Sequence, residues 1–184
     1  MRLLAVLCLT LLLAACGNPR DDQPREPKPA ENEAATPEPE PEPEPETPLQ
    51  TLRKDVADLA AKPEHKENQI EVQHLLVAHN QAGIPGVKRT IAEAEQLAAD
   101  LWKRIKAGED FAKLIKEHTD DSPPGIYGMT MTGQGDRNAN LYPRKGMVAA
   151  FGDVGWRLKV GEFGVAPYDK TKSPYGWHII KRTK

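Results

Sequence analysis

Ile70-Glu71-Val72-Gln73-His74-Leu75-Leu76-Val77-Ala78 is the stretch that decides the fold. Its apolar residues run almost continuously around Gln73 and His74 instead of alternating, which predicts a central strand buried on both faces. Downstream the pattern stays globular to Lys184, about 115 residues, enough for one domain with a modest core.

Thr90 and Glu93 form a capping box, Ile91, Ala94, Leu97, Leu101 and Ile105 repeat at helical spacing, and Gly108 stands where the helix must end. A second helix follows, capped by Asp110, with Phe111, Leu114 and Ile115 facing inward and Pro123-Pro124 beyond its end. Gly125 to Gly146, with several glycines and the polar run Gly133 to Asn140, reads as a long irregular loop of the kind that is functional or disordered. A short helix over Met147 to Trp156, a strand over Phe163 to Tyr168, a turn around Lys170 to Pro174 and a strand over Gly176 to Lys181 complete the chain. The order β-α-α-α-β-β predicts an α+β domain with a small antiparallel sheet of about four strands surrounded by helices.

Upstream the chain changes character. Arg2 followed by the apolar run Leu3 to Leu13 reads as an export signal, too short to span a bilayer, which takes about 20 apolar residues. Leu13-Ala14-Ala15-Cys16 resembles the lipobox of bacterial lipoproteins, so residues 1–15 are expected to be removed and Cys16 to be acylated. Cys8 and Cys16 are the two cysteines, which leaves the remainder without a disulfide, a thiolate nucleophile or a cysteine-bound zinc. Residues 16–68 read as a disordered tether with five Pro-Glu dipeptides from Pro37 to Glu46. Within it, Leu52, Val56 and Leu59 predict a short helix between Thr51 and Ala61, transient or loosely docked. Asn18 to Asn68 carries 7 Lys and Arg against 14 Asp and Glu, and Gln69 to Lys184 carries 17 against 13. This mild, dispersed basic excess does not point to nucleic acid.

Gln73 to Val77, Ile105 to Ala112, Gly146 to Phe151 and Ser173 to Ile180, with Leu158 to Glu162 between the last two, stand in an order that resembles the parvulins, a family of peptidyl-prolyl cis-trans isomerases. The resemblance implies that His74 and His178 lie side by side on adjacent central strands, with Asp121 as the third polar group and Ser173 at the family's hydroxyl position. It maps the cup for the proline ring onto Met147 and Phe151. A third wall, usually leucine, falls in Gly125-Ile126-Tyr127-Gly128, where the sequence departs from the family; Tyr127 is the aligned residue and Met129 the alternative.

Rotation about an X-Pro bond breaks amide resonance and needs no covalent step, so no cofactor or metal is expected. The loop His79 to Gly86 lacks the arginine cluster that would hold a phosphorylated residue, and Lys88, Arg89, Arg137, Arg144 and Lys145 read as surface charge. The expected partners are unfolded or proline-containing exported polypeptides, with the membrane reached through lipid and the protein a monomer. The expected location is a Gram-negative-type envelope, with the outer membrane facing the periplasm favoured over the inner by Gly17. A parvulin-like chaperone or docking module without turnover is the alternative.

Overall fold

In the computed structural model, which describes residues 45–184, the predicted opening strand is β1 (Gln69–Ala78), and it lies at the centre of a five-stranded sheet. Helices α2 (Ile91–Lys106) and α3 (Phe111–His118) begin at the anticipated caps, with Thr90 and Glu93 exchanging hydrogen bonds and Asp110 accepting from the Lys113 N–H at 3.0 Å. Then come β2 (Ile126–Thr130), β3 (Leu141–Pro143), a 3-10 turn (Arg144–Gly146), α4 (Ala149–Arg157), β4 (Phe163–Ala166) and β5 (Gly176–Arg182). The strand order is β3-β2-β1-β5-β4. The α+β class and the position of the opening strand follow the sequence reading.

Two expectations about the sheet need correction. The stretch Gly125 to Gly146 is not an irregular loop, and the sheet is not wholly antiparallel. β2 pairs antiparallel with β1, and β3 lies parallel to β2. Residues 131–140 close the β2–β3 connection through a turn on Asp136, whose carboxylate accepts the Asn138 N–H at 2.9 Å. The short helix expected over Met147 to Trp156 starts at Ala149, so Met147 precedes α4.

Alternation along the strands divides the interior into two cores. Leu75, Val77, Trp177 and Ile179 face α2 and α3, where they meet Leu101, Phe111 and Leu114. Val72 and Ile180 face the other way, toward Met129, Phe151, Val154 and Trp156.

The short helix expected between Thr51 and Ala61 is α1 (Pro48–Ala60), and it is firmly docked. A Thr47–Gln50 capping box and Pro48 at the first position start it three residues earlier than its apolar spacing suggests. Leu52, 2 % exposed, enters the α2 core, and Leu59 enters the α4 core. Gly164 on β4 makes room for it, because a Cβ there would collide with the Leu59 side chain. Arg53 pairs with Glu95, and Asp55 accepts from the Trp102 indole N–H at 2.8 Å and from Lys106 at 2.7 Å. Folded structure therefore begins ahead of residue 69, since a helix too short to stand alone is held by the surface it covers. Residues 1–44, including the predicted signal, Cys16 and the Pro-Glu run, lie outside the described residues. Leu52→Ala should lower unfolding free energy by about 2–4 kcal/mol in urea denaturation; an unchanged midpoint would mean that α1 is not part of the cooperative fold.

Candidate active site

β1 and β5 bring their histidines to the same face of the sheet. His74 stands opposite Ile180 and His178 opposite Leu76, which makes the histidines diagonal neighbours. Their Nδ1 atoms are 3.3 Å apart, and the rings lie within 20° of parallel with centroids at 5.4 Å. On the other side of β1, β2 sets Tyr127 opposite Val72, so its ring joins this face too.

Asp121 arrives from the segment that follows α3. Beyond the end of β2, the exposed edge of β1 is satisfied by that segment: Leu76 N–H donates to Thr119 Oγ1 (3.2 Å), Ala78 N–H to Asp120 Oδ2 (2.8 Å), and Asp120 N–H to the Leu76 carbonyl (2.9 Å). Arg89 pairs with Asp120 and donates to the Ala78 carbonyl at 3.1 Å. Thus anchored, the segment sets Asp121 Oδ2 at 3.1 Å from His74 Nε2, and the Tyr127 hydroxyl donates to the same oxygen at 3.1 Å. Gly125, with φ +67°, accepts the His74 N–H on its carbonyl at 2.9 Å and comes so close that a Cβ would strike the His74 carbonyl oxygen.

The hydrogen-bond directions follow from Asp121. An ionised carboxylate only accepts, so His74 carries its proton on Nε2. With His74 neutral, its Nδ1 is a lone pair, and His178 must donate from Nδ1. That leaves His178 Nε2 as a buried lone pair without a protein partner. Burial, followed by repulsion from a charged His74, pushes the His178 pKa down to about 3. The His74 hydrogen bond is the main cause holding Asp121 at about 2, although burial opposes it. Tyr127 is pushed up to about 12 by burial and by the neighbouring Asp121 charge, so it remains a donor throughout the neutral range.

An apolar half completes the site. Phe151 projects from α4 edge-on to His74 and His178, with centroids at 5.0 and 5.5 Å. Met147 and Val148 lie just ahead of that helix. Together with His74, Asp121, His178 and Tyr127 they enclose a cavity of about 250 Å³.

Of the residues singled out from sequence, the cavity thus gathers His74, Asp121, His178, Tyr127, Met147 and Phe151. Ser173 and Met129 stand apart from it. Ser173 is fully buried and its hydroxyl donates to the Gly176 carbonyl at 2.8 Å, closing the turn ahead of β5 instead of reaching the histidines. Met129 is opposite Ile70, two pairs farther along the ladder than Tyr127, and packs in the α4 core. Ile84 and Tyr175, which sequence reasoning missed, form part of the lining. Their signals are faint: Ile84 is an apolar residue in a polar, glycine-rich loop, and Tyr175, 45 % exposed, sits between Pro174 and Gly176. None of the five basic residues considered from sequence lines the cavity. Arg89 is engaged by Asp120, and Arg144 by Glu64 and Asp153 at 2.7 Å while stacked over Trp156 at 4.8 Å. Among the described residues, no group of three or more His, Cys, Asp or Glu could hold a metal ion.

A family model for the PPIC-type PPIase domain matches residues 58–184. The chain belongs to this peptidyl-prolyl isomerase domain family. The parvulin resemblance is thereby shown, and the match begins inside α1. Chaperone SurA of Pseudomonas fluorescens is 32 % identical over 114 residues, 62 % of this chain and 22 % of that protein. Foldase protein PrsA of Caldanaerobacter subterraneus is 32 % identical over 120 residues, 64 % of this chain and 30 % of the relative. The chain therefore spans less than a third of either. A solved structure, peptidyl-prolyl isomerase ESS1 from Candida albicans, aligns at 23 % identity and a TM-score of 0.49 over 73 % of each chain.

The buried histidine gives this PPIC-type domain a defined acid response. Between about pH 6.5 and 3 the unfolded chain binds a proton on His178 that the folded chain refuses, so stability falls as pH drops through that window. Asp121, depressed from its ordinary value to about 2, adds a further loss as pH falls below about 4. Urea denaturation at stepped pH should show the first decline in the wild type and a shallower one in His178→Asn. Equal slopes in the two proteins would mean that His178 does not titrate as its burial requires.

Proposed function

We propose that this chain is an active peptidyl-prolyl isomerase for exported polypeptides, held in the cell envelope by acyl chains on Cys16. The observation that carries the reading is one cavity with an apolar cup of Phe151, Met147 and the Tyr127 ring directly against the polar wall of His74, Asp121 and His178.

The chemistry asks little else of a protein. An X-Pro amide crosses a barrier of about 20 kcal/mol because rotation breaks resonance that places partial negative charge on oxygen and partial positive charge on nitrogen. A catalyst must favour the twisted amide over both planar forms. The cup grips the proline ring and excludes water while the preceding carbonyl swings past His74 and Asp121. An ionised carboxylate beside that oxygen disfavours the charge-separated planar amide more than the twisted one, whose oxygen is less negative. The histidines need transfer no proton; their hydrogen-bonded pair fixes the wall, with the neutral His178 supporting His74 from behind.

Substrate preference follows from the lining. With no lysine or arginine in it, and with Ile84 and Tyr175 contributing apolar surface, the residue before proline meets no fixed positive charge. The sequence motif around Cys16 supports lipid attachment, and no helix among the described residues is long and apolar enough to cross a membrane. The names of the relatives, a chaperone and a foldase, support polypeptide clients. The similarity to a chaperone keeps binding without turnover as the second reading.

A protease-coupled assay of the full chain should show turnover of Leu-Pro peptides at least as fast as of Glu-Pro peptides. Phe151→Ala should lower kcat/KM by about tenfold or more through loss of the cup. Binding of proline peptides without turnover by the wild type would assign the docking role instead. In cells, radiolabelled palmitate should mark the wild type but not Cys16→Ser, and equal labelling of both would reject the anchor.

A further inference from the structure

Tyr127 brings a polar atom to a wall whose packing requires only an apolar surface. Its ring meets His74 edge-on, with centroids at 5.3 Å, and leans on Tyr142 at 5.8 Å. The hydroxyl finds its partner in Asp121 Oδ2, the oxygen that also accepts from His74 Nε2, each at 3.1 Å. Two donors from different strands, β2 and β1, thus converge on one carboxylate oxygen.

That convergence matters because Asp121 is otherwise weakly held. It belongs to a turn between α3 and β2, and its side chain is 34 % exposed. Without Tyr127 the carboxylate would keep His74 and the backbone of the adjacent Ser122, which moves with the same turn, whereas a donor fixed on β2 restrains it from outside that turn. The ionisable groups facing Asp121 are His74 on β1 and Tyr127 on β2, with Tyr142 on β3 behind Tyr127 and His178 on β5 behind His74.

We propose that Tyr127 is a positioning residue, its hydroxyl acting with His74 to clamp the Asp121 carboxylate against the cavity. The effect on rate rests on the isomerase reading; the effect on the carboxylate does not. The clamp acts on the twisted amide only through Asp121, so it contributes to kcat more than to KM.

Tyr127→Phe retains the ring and removes the donor. In the full chain it should lower kcat about tenfold with KM changed by less than about twofold. In an Asp121→Asn background it should cost nothing further. Carbon-13 NMR of the Asp121 carboxyl should show its titration shifted to higher pH in Tyr127→Phe, since a donor to the charged form has gone. Unchanged kcat, a further loss in the Asp121→Asn background, or an unmoved carboxyl titration would each overturn the clamp. A wild type without turnover would defeat the isomerase reading, and the carboxyl titration would still decide the role of Tyr127.

Discussion

The antiparallel ladder between β1 and β5 is the constraint on which the rest of the structure depends. Because its register sets His74 diagonal to His178, one pairing fixes both histidines without a loop to position either. A slip of one residue would put the two histidines on opposite faces, one of them in the core occupied by Leu101 and Phe111. The same strands bury apolar side chains on both faces, so the forces that hold the fold together also hold the site in register.

The two faces divide the work. Against one, α1, α2 and α3 pack Leu52, Leu101 and Leu114 into a core with no part in the cavity. Against the other, α4 is shared: Val154 and Trp156 belong to the core, while Phe151 reaches the cavity. Several ties fix α4 from outside the sheet. Arg144 spans Glu64 and Asp153, the Trp156 indole donates to the Glu67 carbonyl at 2.9 Å, and the His65 N–H donates to the Trp156 carbonyl at 2.8 Å. The stretch between α1 and β1 thus braces the helix that carries the cup.

Local chemistry was legible in the sequence, and long-range partnership was less so. The Thr90–Glu93 box, the Asp110 cap and the apolar run around His74 state their own structures because each depends on residues close in the chain. β2 escaped because Ile126 to Thr130 is short and broken by Gly128, and becomes a strand only against β1; β3 is three residues ending in proline. The docking of α1 escaped because its receiving surface is assembled from α2, α4 and β4, although the Thr47–Gln50 box and Pro48 were there to be read. In the site, the parvulin resemblance located His74, Asp121, His178, Met147 and Phe151, none of which stands out by composition. The choice between Tyr127 and Met129 needed the ladder register, since both point to the same face and differ by two pairs in distance from His74. Ser173 matched a motif position, yet a nearer carbonyl at Gly176 takes its hydroxyl. Ile84 and Tyr175 come from loops whose approach to the cavity no spacing encodes.

A proton order therefore runs through the site: a carboxylate that only accepts, His74 donating from Nε2, and His178 donating from Nδ1 with its Nε2 bare and buried. The most direct test is long-range nitrogen-15 correlation NMR of the full chain at pH 8, where the ring coupling patterns report which nitrogen carries the proton. The structure predicts the Nε2–H tautomer for His74 and the Nδ1–H tautomer for His178. A protonated His178 ring, or an Nε2–H tautomer there, would contradict the account.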